Sequence, residues 1–383
     1  MTIITKNKLN AEQVRKATEA LLQEQLKSLK TEGYKISTSM VLNVLLKAAI
    51  EKSSIEAVCA DLADVVDSNT VREAVNRALT VDDLRQHETE FNAALVRCLP
   101  VEMPKQGLEM VIDCHDEPYY GKSENIRSYT CRGEANDGTT YFWRIASLYV
   151  IWRGVRLTLA LTYVLPGEKL LSIVQRLLKR QSELGFRLKV LYLDKGFCSG
   201  DIIDYLQTAP LPALIACPIR GKDGKGGTRA LCHGRKHYTT SYTFSDGTTA
   251  QLAVVPTLKR QKKTGKQRRT WLVYVLINLH WSAKYAMQRY PRRFGIESSY
   301  RQLGQVRVHT NARNPALRFF YLALALFLLN VWTFLRCLSS RVIDKGPFRL
   351  DLNRFRLSRF RAFLRRAIEK AYGTIDEIPV HSW

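Results

Sequence analysis

The alternation of apolar runs between residues 107 and 216 is the feature that most constrains the fold of this chain. Three runs typical of β-strands come first, at 107–113, 141–152 and 155–164. Arg153-Gly154 separates the last two runs and predicts a hairpin turn. Helical and β-type periodicities then alternate, at 167–185, 188–194, 199–208 and 213–216. Three strands followed by two helix–strand pairs predict a mixed α/β sheet.

The order of these elements is ribonuclease-H-like. The predicted fold class is therefore α/β, with a ribonuclease-H-like core, a β-strand insertion and a preceding all-α N-terminal domain. The expected units are a helical domain at 1–100, the first part of the core at 101–217, a basic β insertion at 218–280, the second part of the core at 281–340 and a basic tail at 341–383. At 383 residues the chain is long enough for several such units.

The N-terminal helices include two that are short and closely connected, at 54–63 and 68–79. The second opens on Ser68-Asn69-Thr70, and the pair resembles a helix-turn-helix whose second helix could enter a major groove. A plain helical bundle is the alternative. It is supported by the charge of residues 1–100, which hold 13 basic and 14 acidic side chains, because phosphate contacts normally supply most of the affinity for DNA.

Positive charge is concentrated in the rest of the chain. The whole sequence has a formal net charge of +24, which favours a polyanionic partner. The segment 218–270 has 13 basic and 2 acidic residues, and 301–383 has 15 and 5. The run 349–366 alternates Arg with Phe and Leu, which indicates a basic amphipathic helix that docks on the body or lies on nucleic acid.

Cysteine usage and hydropathy bear on the compartment. None of the eight cysteines forms a CxxC pair, so a zinc ribbon is unsupported. The first residues lack the apolar region of a signal peptide, and we expect reduced thiols in a cytoplasmic protein. Phe319–Leu335 is free of charge for 17 residues, the lower edge of a membrane span. A buried core helix is the preferred interpretation, and no membrane partner is expected.

Two acids close predicted strands. Asp113 ends the run 107–113 and Asp194 ends the run 188–194, so in a sheet of this order both carboxylates can emerge near one edge. Either acid alone is more often a cap or turn residue. A third acid, Glu297, lies in the segment 290–307 among several arginines. Three carboxylates are hard oxygen ligands that suit Mg²⁺.

The segment around Glu297 has a helical spacing. Tyr290, Arg293, Glu297, Tyr300 and Arg301 recur at steps of three or four residues, so a helix would carry them on one side. One carboxylate among guanidiniums suits a metal ion beside a phosphate backbone. The alternative is a solvated face whose arginines neutralise one acid.

Three sequence blocks together resemble DDE-type insertion-sequence transposases, of the group with a β insertion between the second Asp and the Glu. The first block is Val111-Ile112-Asp113 followed by Pro118-Tyr119-Tyr120-Gly121. The second is Tyr192-Leu193-Asp194-Lys195-Gly196-Phe197. The third is the Tyr290, Arg293 and Glu297 spacing. The family signature has a Lys seven residues after the Glu, whereas Gly304 stands there in this chain.

The resemblance implies a catalytic role and a chemistry. Asp113, Asp194 and Glu297 would be the catalytic and metal-binding acids, holding two Mg²⁺ ions, with Mn²⁺ possible. The expected DNA-phosphate contacts are Lys195, Tyr290, Arg293 and Arg301. Asp116 and Glu117 lie close enough to be mistaken for the first acid, but Asp113 is preferred because it closes the apolar run.

The implied activity is cleavage at transposon ends and strand transfer into target DNA. Transposon-end and target DNA would be the partners, with a homodimer on DNA because two ends must be paired, in a DNA-associated prokaryotic cytoplasmic protein. Some relatives use an aromatic side chain in the insertion to support a hairpin intermediate, and Trp271 is placed for either that role or a core role. Two alternatives remain: a related nuclease without strand transfer, and a non-catalytic DNA-binding regulator.

Overall fold

The computed structural model describes residues 8–136, 138–222, 226–260, 265–294, 302–339, 341–342, 349–351 and 353–378. Five helices form the N-terminal region: α1 (Ala11–Gln23), α2 (Thr38–Glu51), α3 (Ile55–Asp61), α4 (Ser68–Ala78) and α5 (Leu84–Arg97). The predicted short pair corresponds to α3 and α4. The side chains of Ser54 and Asp67 accept hydrogen bonds from the first turns of these two helices, which fixes where each begins. Their role in DNA reading stays a prediction.

One large sheet forms the centre of the molecule. Its core strands are β1 (Leu108–Pro118), β2 (Cys131–Asn136), β3 (Thr139–Trp152), β4 (Val155–Val164), β5 (Leu188–Leu193) and β6 (Ala213–Cys217). The helices between them are α6 (Glu124–Arg127), α7 (Leu170–Glu183) and α8 (Gly200–Thr208). β1 pairs with β3 antiparallel and with β5 parallel, β5 pairs with β6 parallel, and β4 pairs with the outer side of β3. This is the ribonuclease-H-like order, so the predicted fold class is confirmed.

The β3–β4 hairpin forms at the predicted turn. Arg153 and Gly154 both have positive φ, 49° and 77°, as a two-residue hairpin turn requires. Glycine reaches this region without steric cost, whereas Arg153 is one of only a few described non-glycine residues that do so.

β1 is longer than the sequence predicts. The run was expected to end at Asp113, but the strand continues to Pro118, so the expectation that Asp113 closes a strand is wrong. The physical reason is the length of β3, which pairs with β1 from Glu109 as far as Pro118. Parallel pairing with β5 does end earlier, at Val111.

The insertion extends the same sheet. Its strands are β7 (Tyr238–Thr243), β8 (Thr249–Arg260) and β9 (Gln267–Ile277). β9 pairs antiparallel with β6 and β8, and β7 lies at the far edge next to β8. The β8–β9 hairpin carries its basic residues beyond the core, where Lys259, Arg260, Arg268 and Arg269 are exposed.

The C-terminal part packs partly on the sheet and partly on the N-terminal helices. It comprises α9 (Ala283–Arg289), a 3₁₀ turn at Tyr290–Phe294, α10 (Pro315–Ser339), the strand pair β10 (Arg341–Val342) and β11 (Arg349–Leu350), and α11 (Leu357–Tyr372). α11 contacts α1 and α2, so the predicted basic amphipathic helix docks on the body. The arginines at 354, 356, 359, 365 and 366 remain exposed.

α10 is long and apolar enough to cross a membrane by length and composition. Of its most apolar stretch, however, 83% is buried inside the protein. α10 shares one hydrophobic core with α1, α2, α5 and α11. A core helix, as expected from the sequence, accounts for this burial. The division of the chain into five units stays a prediction.

Candidate active site

The first two predicted acids lie on neighbouring parallel strands. Val111 of β1 is paired with Tyr192 of β5, and each acid follows two residues later, Asp113 on β1 and Asp194 just after β5. Because the two strands run in the same direction, both carboxylates lie just beyond the point where β1 and β5 stop pairing. Asp113 is largely buried, with 17% of its side chain exposed, and Asp194 is half-buried.

The chain after β5 holds Asp194 in place. Asp194 caps the 3₁₀ turn Lys195–Phe197, and its Oδ1 accepts a hydrogen bond from the Gly196 amide at 2.8 Å. A Cβ at position 196 would lie 3.0 Å from the same oxygen, so glycine permits the close approach. Lys195 is exposed, and Phe197 is buried and anchors the turn. The predicted Asp-Lys-Gly-Phe block therefore forms a tight turn that fixes the position of the Asp194 carboxylate.

The surroundings of Asp113 disfavour its charge. Burial raises the pKa of Asp113 to about 6, the nearby Asp194 carboxylate adds to the rise, and the Arg293 guanidinium opposes it. Arg293 Nη1 lies 3.9 Å from Asp113 Oδ2. The site therefore contains a pair of neighbouring carboxylates that is short of positive charge.

The 3₁₀ turn Tyr290–Phe294 packs directly over these strands. The Tyr290 ring is buried against Tyr274, and its hydroxyl donates to the Leu193 carbonyl at 3.2 Å, one residue before Asp194. The Tyr149 hydroxyl donates to the Arg293 carbonyl at 3.5 Å. Tyr290 thus fixes this turn on β5, and its predicted contact with phosphate stays a prediction.

Two further acids on β1 contact arginines, and both roles were missed by sequence reasoning. Glu109 forms ion pairs with Arg289 and with Arg292, the latter at 2.8 Å. Glu117 lies 2.7 Å from Arg307 and 4.0 Å from Arg318. Acids inside an apolar strand are a signal of such partners, because a buried carboxylate needs a compensating cation.

The residues between Asp113 and Glu117 are also accounted for. Asp116 makes two 2.7 Å hydrogen bonds with Arg144, on the opposite face of β1 from Asp113. Burial, with the charge of Arg307, lowers the pKa of His115 to about 4, so this imidazole is neutral at pH 7. Burial alone raises the pKa of Glu117, and the Arg307 and Arg318 guanidiniums act against that rise.

A cavity of about 500 Å³ opens beside Asp194. Asp194, Lys195 and Arg293 line its polar side, and Trp271, Tyr274 and Tyr290 contribute aromatic walls. Trp271 is half-buried and packs against the sheet core, so the core role foreseen for it is present. Its relation to a hairpin intermediate stays a prediction.

Two predicted site residues, Glu297 and Arg301, lie outside the described residues. Within the described part of the chain, no three potential ligands among His, Cys, Asp and Glu cluster as a metal site. The structure thus brings together Asp113, Asp194, Lys195, Tyr290 and Arg293, which are five of the seven predicted site residues.

The comparisons with known proteins agree with this geometry. Residues 168–331 match the family described as "Transposase DDE domain", a range that includes Asp194 and Glu297 and begins after Asp113. No curated protein matches the chain. A solved structure, the piggyBac transposase synaptic complex with hairpin DNA, has a similar fold with a TM-score of 0.55 at 11% identity, over 94% of this chain and 76% of that one.

The chain therefore contains a transposase DDE domain on a ribonuclease-H-like fold. The predicted resemblance to DDE-type transposases is supported by the match over residues 168–331 and by the similar fold.

Proposed function

We propose that Asp113, Asp194 and Glu297 bind divalent metal ions and catalyse cleavage at transposon ends, followed by strand transfer into target DNA. The observation that carries this proposal is that Asp113 and Asp194 each follow by two residues the last parallel pair of β1 and β5, Val111 with Tyr192. Glu297 is four residues after Arg293, which contacts Asp113. Four residues span at most about 14 Å, so the sequence separation alone allows Glu297 as the third acid.

The donor set fits a hard cation such as Mg²⁺, with Mn²⁺ as a substitute. Asp113 and Asp194 offer carboxylate oxygens, and the raised pKa of Asp113 reflects a place where positive charge is favourable. Two bound cations would activate the attacking oxygen and stabilise the leaving oxygen of an in-line phosphoryl transfer. The protein itself positions the two acids: the 3₁₀ turn Lys195–Phe197 holds Asp194, and β1 holds Asp113.

The cations around the pair suit a phosphate backbone. Lys195 is exposed next to Asp194, and Arg293 lines the cavity beside it. We propose Lys195, Arg293, Arg301 and Tyr290 as residues of the DNA-binding surface. Arg293 faces Asp113 in the described structure, and a bound cation would free it to face phosphate.

The partners follow from the reaction. Transposon-end and target DNA are the proposed substrates, and a homodimer on DNA is proposed because two ends must be brought together. A protein with this activity works where its DNA is, and a prokaryotic cytoplasm is the proposed location.

The experiment that tests this function supplies pre-cut transposon ends with a free 3′-OH, a target duplex and Mg²⁺. Joined products are expected from the wild-type protein, whereas a nuclease without strand transfer would give hydrolysis products only. Glu297→Gln is expected to keep DNA binding and to lose cleavage by orders of magnitude. Cleavage by Glu297→Gln at the wild-type rate would contradict the assignment of the third acid.

A further inference from the structure

We propose that Glu109 and Glu117 are positioning residues that hold the two ends of the segment 289–307 against the face of β1 that carries Asp113. This inference rests on the proposed function, because the segment contains Glu297. In this proposal, one ion pair precedes Glu297 in the sequence and another follows it, and each fixes one end of the segment.

Three of the four acids of β1 lie on one face of the strand. Side chains of a β-strand alternate between faces, so positions 109, 113 and 117 point the same way. The packing supports this alternation, since Val111 belongs to the core cluster that includes Tyr290, whereas Met110 and Ile112 belong to the core cluster on the other face. At about 3.3 Å per residue, successive acids are roughly 13 Å apart.

Glu109 anchors the start of the segment. Its side chain is only 8% exposed and contacts Arg289 at the end of α9 and Arg292 in the 3₁₀ turn. The buried Tyr192 hydroxyl donates to the same carboxylate at 3.3 Å. Two cations from consecutive turns thus share one acid, which fixes the direction in which the chain leaves α9.

Glu117 anchors the end of the segment. Its side chain is 3% exposed, and it pairs with Arg307 at 2.7 Å. Arg318, from the first turns of α10, lies 4.0 Å away on the same carboxylate oxygen and stacks over Trp143. Arg307 follows Glu297 by ten residues, and Arg292 precedes it by five.

The arrangement is better explained by positioning than by stability. Desolvating an ion pair costs about as much as the pair returns, and apolar side chains of similar volume are often as stable. Both acids nevertheless lie on the same strand as Asp113. Four arginines of the segment 289–307 contact these three acids. The middle contact is the Arg293–Asp113 pair, so the described arginines of the segment contact Glu109, Asp113 and Glu117 in order.

The test compares Glu109→Gln and Glu117→Gln with Glu88→Gln. Glu88 is a matched control, because it is also a buried acid paired with an arginine, Arg85 at 2.6 Å, but it contacts β4 instead of the segment. Each variant is measured for cleavage as a function of Mg²⁺, for the Mn²⁺ concentration that gives half of the metal-induced rise in Tm, and for backbone amide hydrogen exchange over residues 302–310.

We expect Glu109→Gln and Glu117→Gln to need about 10- to 100-fold more metal in both titrations, as for residues that orient metal ligands. Amide exchange over 302–310 should accelerate in Glu117→Gln, and DNA affinity should be unchanged. In Glu88→Gln the metal dependence should match that of the wild type, whatever its Tm.

A pair of changes on the arginine side keeps the test decisive if Glu117→Gln does not fold. Arg307 is 30% exposed and tolerates replacement more readily than a fully buried residue. Arg307→Lys retains the charge and should keep most of the metal affinity, whereas Arg307→Gln should lose it. Equal behaviour of these two variants would overturn the role of the Glu117–Arg307 pair.

The outcomes separate this inference from the proposed function. If Asp113→Asn and Asp194→Asn cleave DNA like the wild type, the proposed function itself fails. If those two variants are inactive while Glu109→Gln and Glu117→Gln have the metal dependence of Glu88→Gln, only the positioning role is overturned.

Discussion

Asp113 lies on a strand face where burial and the neighbouring Asp194 both disfavour its ionised form. An acid whose pKa is raised by folding favours the fold when it is protonated. That contribution is fully present below the ordinary pKa of about 3.9 and is lost as the pH rises through about 6. A divalent cation reverses the balance, because it binds the ionised form.

Because the pKa of Asp113 is raised in the folded state, the stability of the protein should fall as the pH rises. In EDTA, the free energy of unfolding of the wild-type protein should fall relative to that of Asp113→Asn between pH 4 and pH 7, by up to about 3 kcal/mol. Added Mn²⁺ should stabilise the wild-type protein increasingly as the pH passes 6. Parallel pH profiles for the two proteins in EDTA would contradict the raised pKa.

At the same scale, some of the site could be predicted from sequence and some could not. Asp113 and Asp194 follow apolar runs, and Gly196 stands where the backbone must approach a carboxylate, so local patterns identified them. The acids Glu109 and Glu117 in an apolar strand indicate that cationic partners are needed, but the sequence does not identify which arginines these are. Their contacts with Arg292 and Arg307 connect residues more than 180 positions apart, which no periodicity reports.

Among the elements, α10 is joined to the β3–β4 hairpin by a buried polar side chain, Asn330. Asn330 is 1% exposed, accepts a hydrogen bond from the Thr158 amide at 2.9 Å and donates to the Thr158 carbonyl at 2.8 Å. The β3–β4 register shifts at this point, since Leu148 pairs with Ala160 and Tyr149 with Thr158. Asn330 thus satisfies backbone groups at a β-bulge.

Replacing Asn330 by leucine should destabilise the protein by about 2–4 kcal/mol, because it leaves a buried amide and a buried carbonyl of Thr158 without their partner. Urea unfolding measures this loss. The matched control is Leu328→Met in the same helix, a volume-conserving change that should cost less than about 1.5 kcal/mol. Equal stability of Asn330→Leu and the wild type would show that the amide does not support the bulge.

The lengths of elements were harder to predict than their kinds. The turn of the β3–β4 hairpin was predicted to the residue, because Arg153-Gly154 is a local turn signal, whereas β3 begins two residues before the predicted run. β1 continues past Asp113 because β3 offers a partner, and that pairing is not local. The strand β2 and the helix α5 were missed, and both depend on packing against β3, β4 and α10.

Over the whole molecule, the net positive charge comes from residues that follow the N-terminal helical region. The exposed basic residues of the β8–β9 hairpin and of α11 form the main surfaces that could meet DNA among the described residues. Neutralised phosphates release counterions, so the logarithm of affinity should fall linearly with the logarithm of salt concentration.

The double change Arg268→Gln with Arg269→Gln should make that slope shallower by up to about 2, roughly 0.9 for each phosphate that is no longer neutralised. Lys179→Gln with Lys189→Gln removes two exposed charges outside the insertion and serves as the control. Fluorescence anisotropy at several salt concentrations measures both slopes. An unchanged slope in the Arg268 and Arg269 variant would remove the hairpin from the DNA surface.

The proposed metal ligands for DNA cleavage are the carboxylates of Asp113, within β1, and Asp194, directly after β5. The most direct test of this assignment is the cleavage rate of Asp194→Cys in Mg²⁺ and in Mn²⁺, with Asp201→Cys as an exposed control. A thiolate binds softer ions better than Mg²⁺. We predict that Asp194→Cys loses cleavage by at least about 100-fold in Mg²⁺ and recovers it in Mn²⁺, while Asp201→Cys is active in both. Equal activity of Asp194→Cys and the wild type in Mg²⁺ would contradict the metal-ligand role of these carboxylates.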